Sequence, residues 1–310
     1  MERIVITGGT GFIGLSLAKH ISDRGLLPVL VGRNVPKTKI NFEFIKWDAI
    51  HAGDWINSID GAFGIVNLAG RSVDCIKSPD NCDEILRSRL DSTKVIGQAL
   101  KEVANPPKVW LQMSTTHIYG DPPTQVCTES SGTGYGLAPF VGKAWEETLL
   151  ESMPAGMREV RLRTSFVLGS NGGALKKLVR VTRLGFGGRV GHGRQGMSWI
   201  HQDDLNEIIY QAIVNSNYQG IYNASSPNPV SNNEFMKAIR ASLNIPFGLP
   251  APEWIARVGA RLFFNTDPEL ALYGRYVKSE RLEREGFVFK YSRIDEALQD
   301  LFSKTHTVRV

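Results

Sequence analysis

The eight residues TGGTGFIG, Thr7 to Gly14, restrict the fold of this chain more than any other stretch. They join the β-branched run RIVIT (3–7) to IGLSLAKHISDR (13–24). In the second segment Ile13, Leu15, Leu17 and Ile21 recur at roughly helical spacing, and Gly25 serves as a C-cap. A buried strand, a glycine loop and a helix in that order read as a dinucleotide-binding turn; the plainer reading of the same spacing is an ordinary strand–helix turn. Gly8 permits the sharp turn, Gly11 lets the backbone approach a pyrophosphate, and Gly14 lets the helix lie close to the sheet. The helix start, with Phe12 and Ile13, offers unpaired N–H groups and a partial positive charge to phosphates.

The same alternation continues. PVLVGR (28–33), FEFIKWD (42–48), GIVNLAG (64–70), VWLQMST (109–115) and EVRLRTSFVL (159–168) read as strands, and 83–102 and 141–152 as helices. Strands alternating with helices at this interval predict a doubly wound α/β fold with a parallel sheet covered on both faces. After Leu168 the pattern becomes irregular. The expected division is a nucleotide-binding domain over 1–168 and a smaller, mostly helical cap over 169–310, with a strand near 220–226 returning to the sheet. The cap would lie over the C-terminal edge of the strands, where ligands bind in open α/β sheets.

Composition narrows the function classes. Of the 310 residues 42% are hydrophobic and 22% charged, which excludes wholesale disorder. No apolar run reaches the ~18–20 residues needed to span a bilayer, so no membrane partner is expected. The chain opens directly into RIVIT without a leader pattern, so a cytoplasmic location is expected. Cys75, Cys82 and Cys127 form no CxxC pair and imply neither disulfides nor zinc. The net charge of +5 comes from dispersed residues with no aromatic-interleaved basic stripe, which argues against nucleic acid and suits a basic cleft for an anionic cofactor. The 31 glycines cluster near 8–14 and 185–196, so each cluster requires a local reason.

The second strand ends in Gly32-Arg33-Asn34, with Lys37 and Lys39 close behind and no acid. An NAD site usually offers a carboxylate there for the ribose 2′-hydroxyl. A guanidinium fork instead suits a 2′-phosphate. The implied cofactor is NADP(H), bound through Arg33 and Asn34.

These residues, with NLAG (67–70), SRLDST (88–93), LRTSFVLGSNGGAL (162–175), SWIHQDDL (198–205), GIYNASSPNPV (220–230) and RLEREGFVF (281–289), resemble the extended short-chain dehydrogenase/reductase superfamily. More narrowly they resemble its atypical branch, the epimerase family or sugar-nucleotide-epimerase-like proteins of the NAD-dependent epimerase/dehydratase superfamily. The resemblance spans nearly the whole chain and implies a Rossmann-type sheet. It also implies that Asp48 lies near the adenine, that Leu68, Ala69 and Gly70 run along the cofactor, that Glu84 and Arg89 contact it, and that Val167 approaches the nicotinamide. Against these roles stand simpler ones: Asp48 as a turn cap, Glu84 with Arg89 as a solvated helix pair.

The chain departs from the superfamily at its acid/base. No tyrosine here has a lysine four residues later: Tyr135 is followed at that interval by Pro139, and alignment on Trp145-Glu146 puts Leu137 or Ala138 at the tyrosine position. A phenol near its free pKa of ~10 is a poor base without an adjacent cation. Thr115 matches the Ser/Thr that hydrogen-bonds the reacting oxygen, and His117, two residues on, is the candidate replacement acid, on the same face if the strand persists. In the cap, Arg189, His192, Arg194 and Gln195 offer donors to an anionic or polyhydroxy group, and Trp199 an apolar wall. His201 and Asp204 read as an anchor between cap and sheet. The expected activity is NADP(H)-dependent oxidoreduction of a small polar or anionic substrate. The alternatives are a catalytically weak NADP(H)-binding regulatory protein, of the kind linked to division in plastid and cyanobacterial relatives, and a nucleotide-sugar epimerase. The oligomeric state stays open.

Overall fold

The computed structural model describes residues 1–36, 39–170 and 172–306, with side chains to residue 303; Lys37 lies outside the described residues. Along the chain β1 (Arg3–Thr7), α1 (Phe12–Ser22), β2 (Leu27–Gly32), β3 (Glu43–Lys46), β4 (Gly64–Asn67), α2 (Pro79–Glu102) and β5 (Val109–Thr115) come first. The two-residue β6 (Val126–Cys127), then α3 (Leu137–Ser152), β7 (Arg158–Thr164) and β8 (Phe166–Leu168) follow. The second half contains α4 (Leu175–Arg183), β9 (Gly196–Met197), β10 (Trp199–His201), α5 (Gln202–Val214), β11 (Gly220–Ala224) and β12 (Val230–Ser231). It closes with α6 (Asn232–Ser242), α7 (Glu253–Phe264), α8 (Glu269–Leu272), β13 (Tyr276–Val277), α9 (Glu280–Arg284) and α10 (Ile294–His306).

Seven strands form one parallel sheet in the order β11-β7-β5-β4-β1-β2-β3. Strand alternation distributes β1 between two cores: Ile4 and Ile6 face α1 and α5, while Val5 faces the side covered by α2 and α3. Each such side chain, fully buried, contributes roughly 1.5–3 kcal/mol. The chain winds outward through β2 and β3, then returns to the other side of β1 with β4. The loops after β1 and β4 therefore diverge, and their divergence opens the crevice in which such folds bind ligands. The strand at Gly220–Ala224 pairs in parallel with β7 from Gly220↔Val160 to Ala224↔Thr164, at the sheet's edge.

The expected single strand over 159–168 is two. Ser165 donates its N–H to Ala224 O (3.1 Å) and Phe166 donates to Ser198 O (3.1 Å), so the chain leaves the main sheet there and β8 pairs with β10. Beyond that break a third core forms from Leu168, Leu175, Trp199, Phe235, Ile239 and Leu298.

A buried polar network ties the ends of four elements together. Arg163 in β7 meets Glu146 in α3 through two bonds, Nε to Oε1 and Nη2 to Oε2, both 2.8 Å. Ser114 in β5 donates to the same carboxylate at 2.7 Å, and Arg163 Nη1 donates to Tyr119 OH at 3.0 Å. The phenol in turn donates to Asn223 Oδ1 in β11 at 2.8 Å. Both charges are buried. Removing one partner of such a pair leaves the other uncompensated, at a cost of roughly 3–5 kcal/mol. Glu146→Gln is therefore expected to lower the unfolding free energy by about that amount in a urea titration. A change within ordinary surface-mutation scatter would show that the pair does not hold the sheet.

Candidate functional site

The glycines of the loop after β1 divide into those the protein itself requires and one it does not. Gly8 has φ +69°, and a β-carbon there would lie 2.7 Å from the Leu68 carbonyl group and 2.9 Å from Ala69 N. One on Gly9 would meet Ile6 O at 2.6 Å, and one on Gly14 the Gly9 backbone at 2.5–2.6 Å. These three let β1, β4 and α1 approach. Gly11 differs. Its φ of −79° is ordinary for any residue, so no positive φ is strained there, and a β-carbon would meet one protein atom within 4 Å, Gly8 O at 3.3 Å. Its missing side chain leaves open space directly at the start of α1. The helix has no side-chain cap and no acid in its first turn, so its N-terminal partial charge is not offset by a nearby carboxylate.

The Phe12 side chain has a role of its own, beside the one expected of its backbone N–H. Its ring fills a niche left by three later glycines, where β-carbons on Gly169, Gly172 and Gly173 would lie 2.5, 2.7 and 3.3 Å away. It fixes the loop after β8 against the loop after β1. Val167 sits in β8 with its carbonyl turned to the same niche, 3.5 Å from where a Gly173 β-carbon would be.

Opposite the loop, Asn67 Oδ1 accepts from Ala69 N (3.0 Å) and from Thr7 Oγ1 (2.7 Å), which fixes the course of Leu68–Gly70. The Arg89 side chain of α2 lies against Gly70, its Cζ 3.4 Å from where a β-carbon would be. Its guanidinium is 5.0 Å from the centroid of the Trp145 ring, and Nη1 donates to Ile85 O at 2.8 Å. No carboxylate pairs with it among the described residues, and burial alone pushes its pKa down to about 10. A half-buried cation without a counter-charge among the described residues, beside an open glycine loop, is an arrangement an anionic ligand completes.

The other expected cofactor residues fall into two groups. Arg33 and Asn34 follow β2 on the exposed rim, and no carboxylate pairs with Arg33 among the described residues. Gly32 beside them faces Thr10, 3.1 Å from its Oγ1 to the ideal β-carbon, so Arg33 borders the loop. Asp48 caps its own turn: Oδ1 accepts from Ile50 N (2.8 Å) and His51 N (2.9 Å), and Oδ2 meets His51 Nδ1 at 2.6 Å. The His51 side chain, then the two backbone N–H groups, hold its carboxyl down at about 2. Glu84 is exposed and engaged by Arg71, so it is not paired with Arg89 as a helix-pair reading requires.

Thr115 ends β5, and the expected continuation of the strand does not occur. A 3-10 turn over Thr116–Tyr119 begins instead, with Thr115 Oγ1 accepting from His117 N at 3.2 Å. That bond uses an oxygen lone pair and leaves the hydroxyl proton for donation. His117 therefore follows from the turn rather than from strand alternation. Burial first, then the cations Arg275 and Lys77, lower its pKa well below the ordinary value. The imidazole is neutral at pH 7, a proton acceptor or hydrogen-bond donor and not the cationic acid expected from sequence.

The positions of the usual phenol and ammonium are apolar. Tyr135 lies before α3 and is 97% exposed. Leu137 and Ala138 begin the helix; four residues on, Val141 is buried and Gly142 faces Ile118, whose side chain would lie 3.2 Å from a β-carbon there. Tyr119 is committed to Arg163 and Asn223, and burial raises its pKa.

The cap corrects several expectations. Two of the glycines near 185–196 are required by backbone: a β-carbon on Gly188 would lie 2.5–2.6 Å from Leu249–Pro250, and one on Gly196 2.4–2.6 Å from Arg275–Tyr276. Trp199 is fully buried, with Nε1 donating to Asn228 O at 3.1 Å, so it belongs to the third core and is no substrate wall. Gln195 spends its amide on Val190 O and Ala271 O. Arg189, His192 and Arg194 are exposed on one turn, closed by Arg189 Nη1 to His192 O and Arg194 N to His192 Nδ1. Asp204 accepts from Lys290 N (2.7 Å) and Tyr291 N (3.0 Å), and the His201 ring lies 4.0 Å from that of Tyr291, which anchors the C-terminal segment. Sequence reasoning missed Arg275. It bonds Gly120 O and Asp121 Oδ1, both at 2.6 Å, and so joins β13 to the turn carrying His117. No motif marks it.

Comparison with known proteins accords with this geometry. A family model described as NAD dependent epimerase/dehydratase family matches residues 4–225, and one described as a domain of unknown function (DUF1731) matches 251–301. The chain is 32% identical over 302 residues to the chloroplastic SDR39U1 homolog of Arabidopsis thaliana, an epimerase family protein, covering 96% of this chain and 85% of that one. It is 28% identical over 317 residues to the epimerase family protein YfhF of Bacillus subtilis, covering 99% and 100%. The crystal structure of human epimerase family protein SDR39U1 (isoform 2) with NADPH superposes with a TM-score of 0.86 at 27% identity, covering 97% of this chain and 99% of that one. No helix among the described residues is long and apolar enough to cross a membrane.

Gly11→Val is expected to leave the fold intact and abolish dinucleotide binding, because its β-carbon would meet only Gly8 O, at 3.3 Å, and the side chain would occupy the open start of α1. Gly14→Val, which clashes with the Gly9 backbone, is expected to lower the melting temperature as well. Circular dichroism and a cofactor fluorescence titration separate the two; retained affinity in folded Gly11→Val would reduce the loop to a structural turn.

Proposed function

The chain belongs to the NAD dependent epimerase/dehydratase family, and on that footing we propose that it is an NADP(H)-dependent oxidoreductase of the atypical extended type, acting in the cytoplasm on a small polar substrate. The observation that carries this reading is a glycine loop left open at Gly11, together with the half-buried Arg89, which lies against Gly70 with no carboxylate partner among the described residues. Bound NADPH supplies a hydride; the protein supplies position and polarity. The loop Gly8–Gly11 and the α1 start hold the pyrophosphate, Arg89 supplies a half-buried positive charge, and Arg33 grips the 2′-phosphate. The human relative crystallised with NADPH supports the choice of cofactor. Thr115 donates its hydroxyl proton to the reacting oxygen, and neutral His117 beside it accepts a proton or orients the substrate. Arg189, His192 and Arg194, exposed on their turn, meet the polar end of the substrate.

A second reading is favoured by one observation, the apolar Leu137–Val141 and Ala138–Gly142 pairs where a phenol and an ammonium would serve. A protein that binds NADP(H) tightly and turns over weakly, acting on a partner, fits that replacement. Epimerisation fits it less, since hydride departure and return still require a proton acceptor at the substrate hydroxyl. A panel of carbonyl substrates followed by NADPH absorbance at 340 nm tests the proposal. Turnover supports the oxidoreductase, and tight binding with no turnover across the panel supports the second reading.

NADPH is expected to bind at least about tenfold more tightly than NADH, roughly 1.4 kcal/mol, and Arg33→Ala to erase most of that preference. Equal affinities in the wild type would remove Arg33 from the site. If turnover is found, Tyr135→Phe is expected to keep it within about tenfold and Thr115→Val to lose more, toward the ~10²–10⁴-fold range for an acid/base group. Because the His117 pKa is depressed, its neutral form persists as pH rises from that value, so the His117-dependent part of kcat/KM should be flat between about pH 6 and 8. A limb near the ordinary histidine pKa that His117→Gln abolishes would contradict this.

A further inference from the structure

One ion pair joins segments that belong to opposite faces of the sheet. Lys177 stands in the first turn of α4, which begins just after the glycines that hold the Phe12 ring. Its helix is thereby tied to the loop after β1 and to the face that α1 covers. Asp74 lies in the loop after β4, which runs into α2 on the other face. Asp74 Oδ2 meets Lys177 Nζ at 2.5 Å. The loops after β1 and β4 diverge to open the crevice, and this pair joins their two sides again across its mouth.

The loop that carries Asp74 is built to move as one piece. Asn81, in the first turn of α2, pins both of its ends: Oδ1 accepts from Arg71 Nη2 (2.7 Å) and Nδ2 donates to Ile76 O (2.8 Å). Arg71 N also donates to Ser88 Oγ at 2.9 Å, and Ser78 caps the helix. Between these anchors the tip is closed on itself. Asp74 N donates to Ser72 Oγ (3.2 Å), Cys75 N to Val73 O (3.0 Å), and Lys77 Nζ to the carbonyls of Val73 and Cys75. A short loop with adjacent ends and a self-bonded tip swings without unfolding. The pair that holds it shut is weak. Lys177 and Asp74 are 44% and 30% exposed, and an ion pair so open to water contributes little to stability.

We propose that residues 71–78 form a strap over the crevice, latched by Asp74 and Lys177, and that unlatching sets how fast the dinucleotide enters and leaves. The inference rests on the reading of the crevice as the dinucleotide site. A latch across the mouth obstructs passage in both directions, so it governs rates and leaves affinity nearly untouched. A direct contact to the ligand would instead act mainly on departure. The latch fits the first description, because Lys177 and Asp74 spend their charges on each other and not on an anion in the crevice.

Stopped-flow NADPH fluorescence gives the association rate constant, and displacement by excess NADP⁺ gives the dissociation rate constant. Asp74→Asn and Lys177→Met are each expected to raise both by about two- to fivefold, the range an exposed pair can supply. Kd should stay within about twofold of the parent value, with the melting temperature unchanged. The two variants separate gating from plain charge effects. Loss of an acid alone would speed an anion's entry and not its exit, and loss of a lysine alone would slow entry. Exchanging the charges, Asp74→Lys with Lys177→Asp, is expected to return both rates toward the parent values. Rates unmoved by the single variants, or a charge exchange that leaves both rates raised, overturn the proposal. So does a rise in dissociation alone, which would make the pair a ligand contact. A parent protein that binds no NADPH would overturn the dinucleotide reading itself, and the strap with it.

Discussion

The close approach of Gly8 to the Leu68 carbonyl, each the first residue past the end of its strand, β1 and β4 respectively, is the contact on which the rest of the site depends. The sheet reverses direction between those strands, so their following loops separate and leave a crevice at the C-terminal edge. A β-carbon on Gly8 would lie 2.7 Å from that carbonyl, too close for any other residue, and only glycine adopts φ +69° freely. Asn67 secures the other side by bonding Thr7 and Ala69 together. The crevice is thus a consequence of strand order, while its floor is set by a glycine and a buried amide.

Chemistry in this crevice is dominated by positive charge and neutral donors. Arg89 is half-buried and Arg33 exposed on the rim, neither with a carboxylate partner among the described residues, and the start of α1 adds unpaired backbone N–H groups. Further in, Thr115 retains a proton to give and His117 is held neutral by burial and by Arg275 and Lys77. The site offers electrostatic complementarity to an anionic dinucleotide together with weak acid/base groups. That combination separates strong cofactor binding from strong proton transfer, and the buried Glu146–Arg163–Tyr119 network beneath it uses the nearest tyrosine for structure.

Local features were legible in the sequence where a single element decides them. Val109–Thr115 is a strand over the expected residues, and the loop at 7–14 joins a strand to a helix as its spacing implies. α2 begins at Pro79 rather than Asp83, although Ser78 as N-cap and Pro79 as first helical residue are visible signals. What stayed hidden is non-local. The run RLRTSFVL is continuously strand-like, yet Ser165 bonds a distant strand end and diverts it. The glycines near 185–196 look like a ligand loop, but Gly188 and Gly196 among them are required by backbone at 249–250 and 275–276. Phe12 looks like a cofactor contact, but its partners are glycines 157 to 161 residues later. Trp199 carries no mark distinguishing a wall from a core. In each case the deciding neighbour lies far along the chain, where neither periodicity nor spacing reaches.

The central claim is that the half-buried charge of Arg89 exists for a dinucleotide, and Arg89→Met tests it most directly, because methionine fills similar apolar space without the guanidinium. Isothermal titration with NADPH, paired with a thermal melt of the cofactor-free protein, reads both consequences. The account predicts an affinity lower by at least about tenfold, with a melting temperature unchanged or higher, since a partly desolvated cation without a paired carboxylate has been removed. Unchanged NADPH affinity together with a lowered melting temperature would contradict it and assign Arg89 to the fold alone.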